Sequence, residues 1–138
     1  MARRYFTVEE ANALLPELRV ILEHLQAKRR ELEERQQALE TIRQQAAENG
    51  YRLGGEGFLR IKREAESILE ECNVAVTQIE TLGCLLKDLH LGLVDFPFLH
   101  EGREVLLCWK PDEAEVAYWH GLTEGFPSRK PIRPQTVS

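Results

Sequence analysis

The sequence predicts a mainly α, α+β fold: a long antiparallel helical hairpin, a coiled-coil-like stalk, with a short N-terminal helix and a small antiparallel β-meander head packed at the hairpin base. Three observations predict it. Two stretches carry an apolar repeat whose steps of three and four run in mirror order, and a glycine-rich segment lies midway between them. Beyond His90 the pattern changes to short runs of branched and aromatic residues broken by Gly and Pro. With 138 residues, 43% of them apolar, the chain suits a single domain, 1–138, with a core of ordinary size.

Thr7 precedes Val8-Glu9-Glu10, so its hydroxyl can accept from the first free amides while Glu10 reaches back. Pro16 disfavours helix at Leu15, which predicts a short helix over 8–14, a bend, and a second helix from 16 to 49 that ends at Asn49-Gly50. The seam Leu18, Ile21, Leu25, Lys28, Leu32, Arg35, Leu39, Ile42 and Ala46 is interrupted by two cations. Their stems can cover apolar surface, and their charges penalise slipped pairings. A second helix over 58–90 carries Ile61, Ala65, Ile68, Cys72, Ala75, Ile79, Leu82, Leu86 and Leu89. Folded back at Leu53-Gly54-Gly55-Glu56-Gly57, the two seams pair Leu18 with Leu89, Ile21 with Leu86, Leu25 with Leu82, Arg35 with Cys72, and Ala46 with Ile61. Gly83, a helix-weakening residue of about 1 kcal/mol relative to alanine, is expected to permit a close approach by another segment.

The runs Leu93–Phe96, Glu104–Trp109 and Glu115–His120 predict a meander over 91–121. Three prolines in Phe126–Pro134 predict an extended tail, 122–138, outside the sheet.

A net charge of −5 provides no overall cationic field, which disfavours nucleic acid and anionic membranes as partners; Arg129, Lys130 and Arg133 are the sole local basic run near the C-terminus. No stretch is apolar enough to span a bilayer, the N-terminus lacks a secretory pattern, and three unpaired cysteines (Cys72, Cys84, Cys108) suit a reducing cytoplasm. The polar residues that merit attention lie in the head: Asp95, His100, Arg103, Glu113, His120 and Arg129. Asp95 is expected either on a solvated face or held by Arg103 or Arg129, and His120 at the rim, bonded to backbone. As a ligand site, Asp95, Arg103, His120 and Arg129 would converge over an aromatic floor of Trp109 and Trp119, suiting a small anion. The histidine and aspartate spacings match no metal signature, and Cys108 has no basic neighbour in sequence to activate it. The expected function is therefore a non-enzymatic interaction or scaffold module that uses the hairpin to bind a protein partner or itself. The alternative is an anion- or metal-binding head, with the cofactor left unassigned.

Phe6–Pro16, Gly92-Leu93-Val94-Asp95-Phe96-Pro97, Leu107-Cys108-Trp109 and Tyr118-Trp119-His120 together resemble an uncharacterised bacterial family of the domain-of-unknown-function kind, over nearly the whole chain. The resemblance implies no activity. Where that pattern carries glycine before the glutamate of the last hairpin, this chain has Pro111-Asp112-Glu113.

Overall fold

Capping sets where the first helix begins. The Glu10 amide donates to Thr7 Oγ1 at 3.0 Å and the Thr7 amide donates to Glu10 Oε1 at 2.8 Å, the reciprocal box read from the sequence. In the computed structural model, which describes residues 4–49 and 55–132, one helix (α1) then runs Val8–Asn49. The predicted break at Leu15 between helices 8–14 and 16–49 does not occur. Pro16 costs about 3 kcal/mol in a helix interior by removing one hydrogen bond and crowding the preceding turn. Ala11, Leu15, Leu18 and Leu22 are buried on both sides of it, and that packing carries the helix through.

The second helix (α2) spans Glu56–Thr81, well short of the predicted residue 90. Its end is a Schellman motif: the Gly83 amide donates to the Glu80 carbonyl at 2.9 Å and the Cys84 amide to the Ile79 carbonyl at 3.3 Å. Gly83 adopts φ +95°, where an L side chain is strained, so it stops the helix instead of sitting within it. The expected close approach at Gly83 is present. A Cβ there would lie 3.2 Å from Arg4 Cδ and 3.3 Å from Phe6 Cζ. Because Leu82, Leu86 and Leu89 lie beyond α2, the predicted helical pairings of Leu25, Ile21 and Leu18 with them do not form.

The chain divides into two compact units, residues 1–22 with 77–138, and residues 23–76. In the second, Leu25 and Ala46 of α1 and Ala65, Ile68, Cys72 and Ala75 of α2 are buried. The two seam cations take their charges to the other helix: Lys28 Nζ lies 3.5 Å from Glu71 Oε2, and Arg35 Nε donates to Glu64 Oε1 at 3.0 Å. Arg35 was expected opposite Cys72; it meets Glu64 instead, eight residues away along α2, while Lys28 and Arg29 of α1 lie close enough to act on the Cys72 thiol. The predicted fold-back point between Leu53 and Gly54 lies outside the described residues.

The first unit holds a five-stranded antiparallel sheet in chain order. Its strands are β1 (Leu85–Asp88), β2 (Leu93–His100), β3 (Arg103–Trp109), β4 (Tyr118–His120) and β5 (Lys130–Pro131). The meander predicted over 91–121 thus gains a strand at each edge. Residues 85–88 leave the helical pattern once Gly83 has turned the chain. Lys130-Pro131, expected outside the sheet, pairs with Trp119 and Tyr118, because proline is tolerated on an edge strand whose outer side needs no amide. Glu101 (φ 54°) and Gly102 (φ 81°) form the two-residue turn between β2 and β3, both in the left-handed conformation that matches strand twist. Pro97 is accommodated within β2 in a similar way. Its carbonyl accepts from the Phe6 amide at 2.8 Å, so this residue's backbone faces away from β3 and no ladder bond is lost.

Candidate functional site

Register decides which head residues can meet. Asp95 of β2 lies opposite Cys108 of β3, while β4 sets Tyr118 opposite Cys108 and His120 opposite Leu106. Opposed residues share a face and successive residues alternate, so Asp95, Cys108 and His120 occupy one face of the sheet. Val94, Phe96, Trp109 and Trp119 occupy the other, where Phe6 meets Phe96 edge-on at 5.3 Å and the Arg19 guanidinium lies 5.1 Å from the Trp109 ring centroid.

All three residues on the first face are buried, Asp95 to 1%, Cys108 to 0% and His120 to 2% exposure. His120 Nε2 is 3.0 Å from Asp95 Oδ2, and its Nδ1 is 2.8 Å from the Gly121 carbonyl. A carbonyl can only accept, so Nδ1 carries a hydrogen and Nε2 shares one proton with Asp95. The pair is either imidazolium with carboxylate or imidazole with carboxylic acid. Burial pushes the Asp95 carboxyl above the usual range, opposed by the charge of His120, a hydrogen bond from Cys108 and the charge of Lys87. The Cys108 thiol is near enough to bias Asp95, yet Asp95 Oδ1 receives no hydrogen bond of ordinary geometry. Burial, and then the charge of Asp95, push the Cys108 thiol up to about 12, against the pull of Arg129, so it is protonated at neutral pH. One carboxylate oxygen, the thiol sulfur and one imidazole nitrogen all lie within 4.8 Å of one another.

The surroundings hold this geometry. The Gly121 carbonyl that accepts from His120 also accepts from the Glu124 amide at 3.1 Å, and Glu124 Oε1 accepts from the Gly121 amide at 2.7 Å. Glu113 accepts from both terminal nitrogens of Arg129, at 3.1 and 2.8 Å, and the guanidinium lies 4.1 Å from the Tyr118 ring centroid and 4.3 Å from that of Phe126. Burial alone would lower the pKa of Arg129; hydrogen bonding and charge from Glu113 more than reverse that. Glu113 is itself set by a turn, its amide donating to the Lys110 carbonyl at 2.9 Å with Pro111 at the second position. Pro111-Asp112-Glu113 therefore makes an ordinary turn without the glycine.

Of the residues singled out by sequence, Asp95 and His120 converge and Arg129 acts on Cys108. Two expectations are corrected. Asp95 is partnered by His120 instead of Arg103 or Arg129, and His120 is buried instead of at the rim, because strand pairing places both inside. Arg103 is exposed at the start of β3, and Trp109 is buried on the opposite face with its Nε1 donating to the Glu113 carbonyl at 2.9 Å. Trp119, also on that face, has its ring 4.9 Å from that of His100 and tilted by 31°, so the two tryptophans form no floor beneath Asp95. Cys108 was not among the sequence candidates. The signal existed: a turn at Glu101-Gly102 makes residues whose numbers sum to 203 cross-strand partners, and Asp95 and Cys108 are such a pair. In the basic run, Arg129 is clamped by Glu113 and Lys130 Nζ lies 3.0 Å from Glu124, while Arg133 lies outside the described residues.

A family described as an uncharacterized conserved protein (DUF2203) matches residues 4–132. No curated protein and no solved structure matches the chain. Among the described residues, no helix is long and apolar enough to cross a membrane.

Proposed function

We propose, for a chain that belongs to the DUF2203 family of uncharacterized conserved proteins, that it is a non-enzymatic binding protein whose ligand is held in the head at Asp95, Cys108 and His120. The observation that carries this reading is Asp95 Oδ1, a buried carboxylate oxygen with no hydrogen bond of ordinary geometry among the described residues. Such an atom costs about 1–3 kcal/mol when left unsatisfied, and a ligand that engages it recovers that cost only in the folded state. The test is thermal stability of the reduced, full chain across a panel of anions and metal ions. A ligand present at a hundred times its Kd adds about 2.7 kcal/mol of stability, so at least one member should raise Tm clearly; a flat panel refutes the reading.

A second reading has α1 and α2 as an antiparallel hairpin that binds a protein partner or a second copy. It is supported by the ion pairs Lys28–Glu71 and Arg35–Glu64, which advance along α1 as they retreat along α2, and by Leu69 and Val74, about half exposed on α2. Sedimentation should then show self-association that Leu69→Glu and Val74→Glu abolish; a monomer at all concentrations counts against self-association. Three buried free thiols fit the cytoplasm as the working compartment.

A further inference from the structure

We infer that the ligand of the head is a divalent transition-metal ion of the zinc class, bound by a carboxylate oxygen of Asp95, Sγ of Cys108 and Nε2 of His120; this rests on the head-site reading above. The donor set is one oxygen, one sulfur and one imidazole nitrogen. Magnesium and calcium take oxygen ligands, whereas a thiolate beside an imidazole selects zinc, cobalt and their neighbours.

The geometry is close to what such an ion needs. Bond lengths of about 2.0–2.3 Å place tetrahedral ligand atoms about 3.3–3.7 Å apart. Here the three atoms lie within 4.8 Å of one another, and Asp95 Oδ2 and His120 Nε2 are 3.0 Å apart. Side-chain shifts of about 1 Å reach tetrahedral spacing. The histidine is already oriented as a ligand. Its Nδ1–H donates to the Gly121 carbonyl, the outer contact that commonly fixes a metal-binding imidazole, and this leaves Nε2, 3.0 Å from Asp95 Oδ2, as the ligand atom. Asp95 Oδ1, in a residue 1% exposed, has no hydrogen bond of ordinary geometry among the described residues and so offers a lone pair to an ion.

Charge balances in both states. Without the ion, a shared proton between Asp95 and His120 and a neutral thiol sum to zero. With it, two positive charges meet one carboxylate, one thiolate and a neutral imidazole, again zero, and two protons leave to solvent, one from the Asp95–His120 pair and one from Cys108. A buried site that stays neutral avoids the desolvation cost of a net charge. The nearby cations do not oppose this: Arg129 is neutralised by both oxygens of Glu113, and Lys87 is exposed on β1.

The experiment is titration of the reduced, full chain with Co2+, followed by visible and near-ultraviolet absorption, with native mass spectrometry of the Zn2+ form. The expected result is one ion per chain, tetrahedral d–d bands and a thiolate-to-cobalt charge-transfer band. Cys108→Ala should remove that band and weaken Co2+ binding at least about 100-fold, beyond the loss typical of an outer-shell change. Cys72→Ala and Cys84→Ala should leave it intact. Asp95→Asn, which keeps the side-chain shape, provides a second variant should Cys108→Ala fold poorly, and should also weaken binding. Absence of the band in the parent protein, or equal Co2+ affinity in Cys108→Ala, overturns the metal assignment. If anions raise Tm and metal ions do not, the metal inference fails and the head-site reading stands; if neither does, both fail.

Discussion

Asp95→Ala removes the partner of His120 Nε2, 3.0 Å away, at a place where both side chains are almost fully buried. Leaving a buried ring nitrogen unpartnered costs about 1–3 kcal/mol, and the vacated volume adds roughly 24 cal/mol for each Å3 that fails to collapse. Deleting the already unpartnered Oδ1 returns about 1 kcal/mol. The net expectation is a loss of about 2 kcal/mol. Asp95→Asn is different, because its amide N–H can donate to Nε2 of a neutral imidazole while Nδ1–H stays on the Gly121 carbonyl. That variant should lose about 1 kcal/mol or less. For a chain of this size each kcal/mol moves Tm by about 3–5 °C, so the two variants should fall by about 6–10 °C and at most about 5 °C. Calorimetry and urea unfolding in the presence of a chelator measure this without a metal contribution. The reasoning is refuted if Asp95→Asn proves as costly as Asp95→Ala, which would mean that a full carboxylate charge against imidazolium, not the hydrogen bond, holds the pair.

Three further outcomes are expected. Gly83→Ala forces an L residue into φ +95° and brings a Cβ to 3.2 Å from Arg4 Cδ and 3.3 Å from the buried Phe6 ring, so urea unfolding should show a loss of about 2 kcal/mol; an unchanged midpoint would remove Gly83 as the reason α2 stops. Thr7→Ala opens the capping box and should cost about 1 kcal/mol in the same assay. Burial pushes the Cys84 and Cys108 thiols up to about 12 from an ordinary 9.0, so the folded state holds their protons longer than the unfolded chain. Their contribution to stability is whole below pH 9 and is lost as pH rises toward 12. The urea midpoint should fall across that range, and less steeply in Cys84→Ala; a flat alkaline profile contradicts it.

Much of the architecture was legible because it is written in local chemistry. The Thr7–Glu10 box, the charged seam positions, the branched and aromatic runs of β2, β3 and β4, and the family resemblance all depend on residues near one another in sequence. The misreadings came where one local rule met a competing force. Pro16 is a helix breaker by itself, but burial of Ala11, Leu15, Leu18 and Leu22 outweighs one lost hydrogen bond. Gly83 is a weak point within an apolar repeat until its positive φ and the backbone hydrogen bonds of Gly83 and Cys84 make it the terminus of α2, after which Leu86 of that repeat serves a strand.

The head site shows the same division more sharply. Composition and motif drew attention to Asp95, His120 and Arg129, since a charged or titratable residue among apolar neighbours must be explained. Neither could pair Asp95 with His120, 25 residues away, and Cys108, one more small apolar residue between Leu107 and Trp109, enters only once the Glu101-Gly102 turn is used to set the register of β2 against β3. The sequence by itself determined the helix start, the apolar runs and the three central strands, because these follow from periodicity and capping over a few residues. Only the tertiary structure decided where the helices stop and which polar groups meet, because strand register sets which face each side chain occupies, and a shift of one residue would have sent Asp95 to the opposite side of the sheet.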